Sequence, residues 1–370
     1  MIPVWEPVLD GNEERYVRDC LETNWISSLG RYITRFEESF AAWNGMPHGV
    51  AMSSCTAALH ASLVALGIGP GDEVIIPDFT LIVSANTVIQ AGARPVLVDA
   101  DAKTWCLDAA RIEAAVTSRT KAIVAVHMYG HPCDMPAIRD IAQRRGLAVI
   151  EDCAEAHGAQ IAGRKVGTFG EASCFSFYGN KILTTGEGGM VLTRDAALAA
   201  KLRLLRDQAF EPPRFVHREM GFNYRLTNLQ AAIGLAQTEK ADEKVAKKRE
   251  IARWYLELFS GCPDVELPCE APGAKSVYWM FGVKLSDRFA QGRDAVMAEL
   301  KEKGVDTRAF FCPMHLQPVF EKADPRFPDR SRSWPVSEEL WRRGLYLPSG
   351  LGLTRAQAAD VAGKLLECRR

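Results

Sequence analysis

The chain has no apolar run approaching the ~20 residues that a membrane helix needs. Met1–Asp10 shows no basic stretch leading into an apolar one, so neither a membrane anchor nor a signal peptide is expected. It also lacks any C-x-x-C pair. The ten cysteines (20, 55, 106, 133, 153, 174, 262, 269, 312 and 368) are scattered, which excludes a zinc ribbon or a small disulfide scaffold. No metal is expected, and the reading that remains is reduced thiols in a cytoplasmic protein. There is no surplus of either charge: 45 Lys+Arg face 46 Asp+Glu. That balance argues against a bulk nucleic-acid binder but leaves room for a local basic pocket around a phosphorylated small molecule. No G-x-G-x-x-G follows a strand, which removes the usual dinucleotide-binding signature; Gly186-Glu187-Gly188-Gly189 precedes a strand instead.

What is present is an ordinary globular composition: 370 residues, 47% hydrophobic and 25% charged. No repeat, low-complexity tract or long linker divides it. From residue 50 to 195, apolar β-type runs (Glu73–Ile76, Pro95–Val98, Ala122–Val126, Ala148–Ile150) alternate with helical spacing (Leu81–Ala91, Asp108–Val116, Pro136–Arg145). Such alternation predicts an α/β fold with a mostly parallel sheet covered on both faces, binding its ligand beyond the carboxyl ends of the strands.

Cys174–Tyr178 and Met190–Leu192 read as further strands, Asp195–Gln208 as a helix, and Thr227–Phe259 as one long helical stretch whose charged part, Glu239–Glu250, reads as a solvated face. Past Gly261–Gly273 the pattern becomes α+β: a strand over Val277–Val283, then helices over Asp294–Lys303 and Thr354–Cys368. A boundary is placed near 240–265, between a large α/β domain with the N-terminal segment (1–245) and a smaller C-terminal α+β domain (246–370).

Three elements carry chemistry. Lys181 stands after an apolar strand that contains Ser176 and just before a Gly-rich turn. Alone, such a lysine is ordinarily a solvated surface group. Upstream, the strand Val149-Ile150-Glu151-Asp152 delivers a carboxylate to a strand end. An amine to hold an aldehyde and an anion to keep a pyridine nitrogen protonated are what pyridoxal phosphate requires. Third, Ser53-Ser54-Cys55-Thr56-Ala57 joins a strand to a helix, whose free N–H groups form a phosphate site; alone, the hydroxyl residues could be only an N-cap.

On these residues the chain resembles the DegT/DnrJ/StrS-type sugar aminotransferases, a fold-type-I pyridoxal-phosphate family, along essentially its whole length. Within that family, SFYGNKILTTGEGG, GFNYRLTNLQAAIGLAQ, TNWISSLGRYITRFE and the Cys312–His315 run CPMH look most like the GDP-perosamine-forming members. The resemblance implies a large domain built on a mostly parallel seven-stranded sheet, with a smaller α+β domain closing over the site. It implies amination, from L-glutamate and with release of 2-oxoglutarate, of C4 in a GDP-linked 4-keto-6-deoxy sugar for surface polysaccharide such as O-antigen. It also implies a homodimer with shared sites.

Carried over by position, Lys181 matches the cofactor lysine, Asp152 the partner of the ring nitrogen, and Ser176 with Ser54, Cys55, Thr56 and Ala57 the phosphate contacts. Asn223 matches an asparagine that reaches the phosphate from the partner subunit. Glu155 takes a position near the cofactor 3-hydroxyl that is Gln in many relatives. Two departures stand out: Cys55 replaces a glycine of the phosphate loop, and Leu81 replaces an aromatic that stacks on the ring, which predicts weaker cofactor retention. Trp25, Ser27, His157, His217, Arg225 and His315 are the candidate substrate contacts; His157 could equally satisfy a strand-end backbone group.

Other readings are a UDP-linked 4-keto-6-deoxy N-acetylhexosamine as acceptor, or a cofactor-binding regulatory protein without turnover. A branch of the family that removes a C3 hydroxyl has His at the lysine position, and Lys181 argues against it.

Overall fold

The computed structural model describes residues 1–370. Seven strands form one sheet in the order His48–Met52, Gly189–Thr193, Ala172–Ser176, Ala148–Asp152, Thr120–Val126, Glu73–Pro77, Arg94–Val98. Gly189–Thr193 runs antiparallel to both of its neighbours, and the other pairs are parallel. The mostly parallel sheet expected from the strand–helix alternation is therefore what the chain builds.

The apolar runs are continuous because both faces are covered, and successive side chains point to opposite faces. Along Glu73–Pro77, Val74 and Ile76 join one core with Ala58, Leu59 and Leu202 of the helices Cys55–Ala65 and Ala196–Arg206. Ile75 joins the other core, with Phe36 and Phe40 of the helix Arg31–Asn44. A second sheet, Val265–Glu266, Phe281–Leu285, Gly344–Leu347 and Arg308–Ala309, is antiparallel throughout and packs on a third core with Tyr255, Phe259, Val361 and Leu365. A short antiparallel ribbon joins Ala274–Lys275, Gln160–Ile161 and Arg164–Lys165. No helix is long and apolar enough to cross a membrane.

Three local expectations are corrected. The stretch Thr227–Phe259 is two helices, Asn228–Glu239 and Ala241–Leu258, broken at Lys240, whose dihedrals (φ −110°, ψ 15°) leave the helix. Its charged part is not all solvated. Lys244 and Lys248 are buried, with Lys244 Nζ donating to Val8 O at 2.8 Å and Lys248 donating to Ser349 O. The strand expected over Val277–Val283 begins only at Phe281, because Tyr278 adopts φ 48° and Val277 N–H bonds Gly130 O at 3.0 Å. That detour carries Trp279 to the loops that follow the strand ends, against Tyr129 and Asn180.

Candidate active site

The site forms where the strands end. Asp152 is the last residue of its strand and is buried. One carboxylate oxygen, Oδ1, accepts the Ala154 N–H at 3.0 Å, and no protein group donates to Oδ2. The preceding Glu151 points to the opposite face. There it accepts N–H groups from Gly167, Phe169 and Gly170 and faces His127 Nε2 at 3.2 Å. His127, Glu151 and Cys153 lie close enough together to hold an ion. The Glu151 oxygens are already filled by these donors, so the group fastens the 167–170 loop to the sheet.

Lys181 is also buried, on the loop after the strand Ala172–Ser176. Its Nζ lies 4.0 Å from Glu155 Oε1 and 3.7 Å from the centre of the Trp279 ring. Glu155 is held from the other side, where Oε2 accepts the Tyr129 N–H at 2.7 Å. Tyr129 sits at φ 50°, a left-handed conformation that costs a bulky residue about 1–2 kcal/mol. The turn gains from this strain an N–H aimed at Glu155 and a following glycine against which the Trp279 backbone packs. A Cβ on Gly130 would stand 2.8 Å from Trp279 N. Trp279 Nε1 donates to Asn180 O at 2.7 Å, next to the lysine in sequence.

Burial sets the electrostatics. It lowers the Lys181 amine from its ordinary value, with Glu155 and Asp152 pulling the other way. It raises Asp152, against the Ala154 N–H and Lys181. It raises Glu155 to about 7 despite Lys181. Burial thus disfavours the charged form of the amine and of both carboxyl groups, while their mutual attraction opposes it. The Cys55 thiol, pushed well up by burial, feels Asp152, Lys181 and Glu155 and so belongs to the same pocket.

Cys55 opens the helix Cys55–Ala65, whose N-cap Ser54 accepts the Ala57 N–H at 3.1 Å. The N–H groups of the first turn have no partner within the helix. Gly189 seats the antiparallel strand directly on this turn: a Cβ there would stand 2.7 Å from Cys55 N and overlap the Ser54 carbonyl. Ser176 Oγ, buried at the end of its strand, accepts the Tyr178 N–H at 3.3 Å. The structure therefore brings Lys181, Asp152, Glu155 and Cys55 together, with Ser54, Thr56, Ala57 and Ser176 at neighbouring strand and helix ends.

The remaining candidates lie elsewhere in the chain. Leu81 is 48% exposed, just before the helix Val83–Gln90. Asn223 is exposed on the segment that bridges to Asp207, and Arg225 Nη1 bonds Asp207 Oδ1 at 2.5 Å. Trp25 and Ser27 have exposed side chains, while their carbonyls are held by Asn228. His217 is exposed and packs on Phe210, ring centres 5.1 Å apart.

Two of the candidate histidines are buried. His157 is wholly buried among Phe40, Phe175 and Phe177, and neither ring nitrogen bonds anything. It therefore meets neither expectation, a substrate contact or a satisfied strand-end group. His315 is buried with Nδ1 2.7 Å from Asp78 Oδ2 and its ring stacked on Trp334, so one ring nitrogen is spent on the protein, while Nε2 has no hydrogen-bond partner.

Comparison with known proteins adds to this geometry. The family model described as the DegT/DnrJ/EryC1/StrS aminotransferase family matches residues 7–366. A GDP-perosamine synthase of Caulobacter vibrioides is 47% identical over 366 residues, 98% of this chain and 97% of that protein. A UDP-N-acetyl-3-dehydro-alpha-D-glucosamine 3-aminotransferase of Acidithiobacillus ferrooxidans is 42% identical over 336 residues, covering 90% and 88%. The structure of S. venezuelae DesV in complex with ketimine intermediate superposes with a TM-score of 0.89 at 36% identity, covering 97% of this chain and 95% of that one.

Proposed function

The chain belongs to the DegT/DnrJ/EryC1/StrS aminotransferase family and is a pyridoxal-phosphate-dependent sugar aminotransferase, and on that premise we propose a GDP-sugar 4-aminotransferase. It would move the amino group of L-glutamate to C4 of a GDP-linked 4-keto-6-deoxy sugar. The observation that carries the reading is a buried lysine amine facing two buried carboxyl groups at the strand ends of a sugar-aminotransferase fold.

The residues present fit the cofactor. Asp152 keeps an oxygen, Oδ2, to which no protein group donates. At the start of the helix the Cys55 and Thr56 N–H groups have no partner, and Ser176 ends a strand of the same sheet. Bound there, pyridoxal phosphate supplies an aldehyde that bonds amines and a ring that accepts electrons from the reacting carbon. Asp152 holds a proton on the ring nitrogen, and its burial strengthens that contact. Ser176, Ser54 and the first-turn N–H groups of the helix position the phosphate. Lys181 is the group that moves protons at the reacting carbon, and burial lowers its affinity for a proton while Glu155 and Asp152 oppose that shift. Glu155, titrating near 7, takes or returns a proton next to it.

A homodimer belongs to the same proposal, supported by the exposed Asn223, whose side chain has no hydrogen bond within its own protomer. So does a role in making surface polysaccharide, with residues 246–370 acting as the smaller closing domain. A UDP-linked acceptor is the second reading, favoured by the similarity to the Acidithiobacillus aminotransferase.

The visible absorption of the loaded protein tests both halves. Bleaching on addition of L-glutamate, reversed by a GDP-4-keto-6-deoxy sugar, is the expected result. Reversal only by a UDP-linked ketone moves the assignment to the second reading, and no bleaching with glutamate removes the donor.

A further inference from the structure

We propose that Trp279 is a positioning residue that, with Glu155, holds the free Nζ of Lys181 beside the cofactor site whenever that amine is not bonded to the cofactor. The proposal rests on Lys181 being the cofactor lysine. A lysine released from its bond swings on a flexible four-carbon stem, yet it must stay within reach to move protons and to bond again.

In this structure Lys181 Nζ makes no hydrogen bond of its own. It lies over the face of Trp279 at 3.7 Å, with Glu155 Oε1 at 4.0 Å. The electron-rich face of an indole attracts an ammonium, most strongly of the aromatic side chains and more so away from water. The other titratable groups near Lys181 are Asp152, Cys55 and His157. None of them hydrogen-bonds the amine.

Both holding groups are aimed by one turn. The Tyr129 N–H fixes Glu155, and Gly130 O accepts the Val277 N–H at 3.0 Å and the Ser276 hydroxyl at 3.2 Å, setting the path that brings in Trp279. The Tyr129 ring backs the indole with centroids 6.3 Å apart and planes 23° from parallel. The indole N–H on Asn180 O ties the same residue to the backbone before Lys181, so aromatic face and amine are registered to each other.

The test is pulsed amine labelling of the cofactor-free full chain across pH, with the Lys181 peptide followed by mass spectrometry. Trp279→Phe retains an aromatic face without the indole N–H, whereas Trp279→Met retains bulk without either. Trp279→Met is expected to lower the titration midpoint of Lys181 by about one unit, with Trp279→Phe between it and the wild type. Glu155→Gln should lower the midpoint at least as far. An unchanged midpoint in Trp279→Met, or equal shifts in the Phe and Met variants, overturns the proposal.

If circular dichroism shows Trp279→Met unfolded, fluorotryptophan NMR of the otherwise wild-type chain decides. The resonance missing from Trp279→Phe must then titrate with the Lys181 midpoint, and a pH-independent resonance refutes the contact. Borohydride reduction of the loaded wild type and peptide mapping test the underlying reading separately. Cofactor on another lysine ends both readings, and cofactor on Lys181 with unshifted variants ends only this one.

Discussion

Asp78 and His315, far apart in the chain, are joined by two hydrogen bonds, His315 N–H to Oδ1 at 2.9 Å and the His315 ring to Oδ2 at 2.7 Å, and the neighbouring Met314 N–H adds a third on Asp78 O at 2.8 Å. Asp78 follows the strand Glu73–Pro77 and is fully buried, so this clasp fastens the C-terminal segment to the large sheet. Breaking a buried, hydrogen-bonded pair by removing one partner is costly. Asp78→Ala is expected to lose about 3 kcal/mol of stability, measured by urea unfolding. His315→Ala should lose a comparable amount. Weakened sugar binding at unchanged stability in His315→Ala would return that histidine to the substrate pocket.

His157 offers an opposite sign. Its two ring nitrogens are buried without partners, and each unsatisfied buried polar atom costs roughly 1–3 kcal/mol. His157→Leu should therefore be more stable than the wild type at pH 7 in the cofactor-free protein. Burial depresses the histidine to about 3, so the folded chain stays unprotonated where the unfolded chain takes up a proton. Stability present above about pH 6.5 is thus lost as the pH falls toward 3. The advantage of His157→Leu should widen over that range in thermal melts. A destabilised variant at pH 7 would mean that the ring has a partner after all.

Glu155 titrates near 7, above its unfolded value, because burial disfavours its charged form. A raised carboxyl contributes stability that is complete below the unfolded value near 4.5 and is lost as the pH rises through 7. Glu155→Gln has no such dependence. Between pH 4 and 8 its unfolding free energy should gain on that of the wild type by about 3 kcal/mol in the cofactor-free chain. A constant difference across that range would show that Lys181 keeps Glu155 ionised throughout.

Leu81, where the resemblance implies an aromatic stacking on the cofactor, is aliphatic and half exposed. An aromatic there would add stacking worth about 0.5–1.5 kcal/mol. Leu81→Tyr is accordingly expected to tighten pyridoxal phosphate binding by roughly three- to tenfold in absorbance titrations of the cofactor-free protein. Unchanged affinity would place Leu81 away from the ring.

The strand ends were legible in the sequence because apolar runs and the polar residue that stops them are local signals. Asp152 and Lys181 were visible on that ground, and the mostly parallel sheet followed from the alternation of runs. Trp279 was not. Its place depends on the left-handed Tyr278 and on a bond to Gly130 formed across the fold, and the local pattern reads simply as strand. The surroundings of the histidines were hidden for a related reason: sequence shows that a ring is present but not whether it will face Asp78 or a nest of phenylalanines. The two-residue strands of the ribbon are too short to carry a period, and the helices Glu13–Glu22 and Arg31–Asn44 went unassigned.

Gly189 closes the turn at Ser54–Cys55 from a strand inserted between two made earlier, His48–Met52 and Ala172–Ser176. Synthesis is vectorial, so the ribosome must release more than half of the chain before His48–Met52 has any neighbour in the sheet. Until then its edge is open to other chains, and the turn at Ser54–Cys55 lacks one wall. A nascent chain stalled before Gly189 therefore carries an unpaired strand edge, the kind of surface on which chains associate.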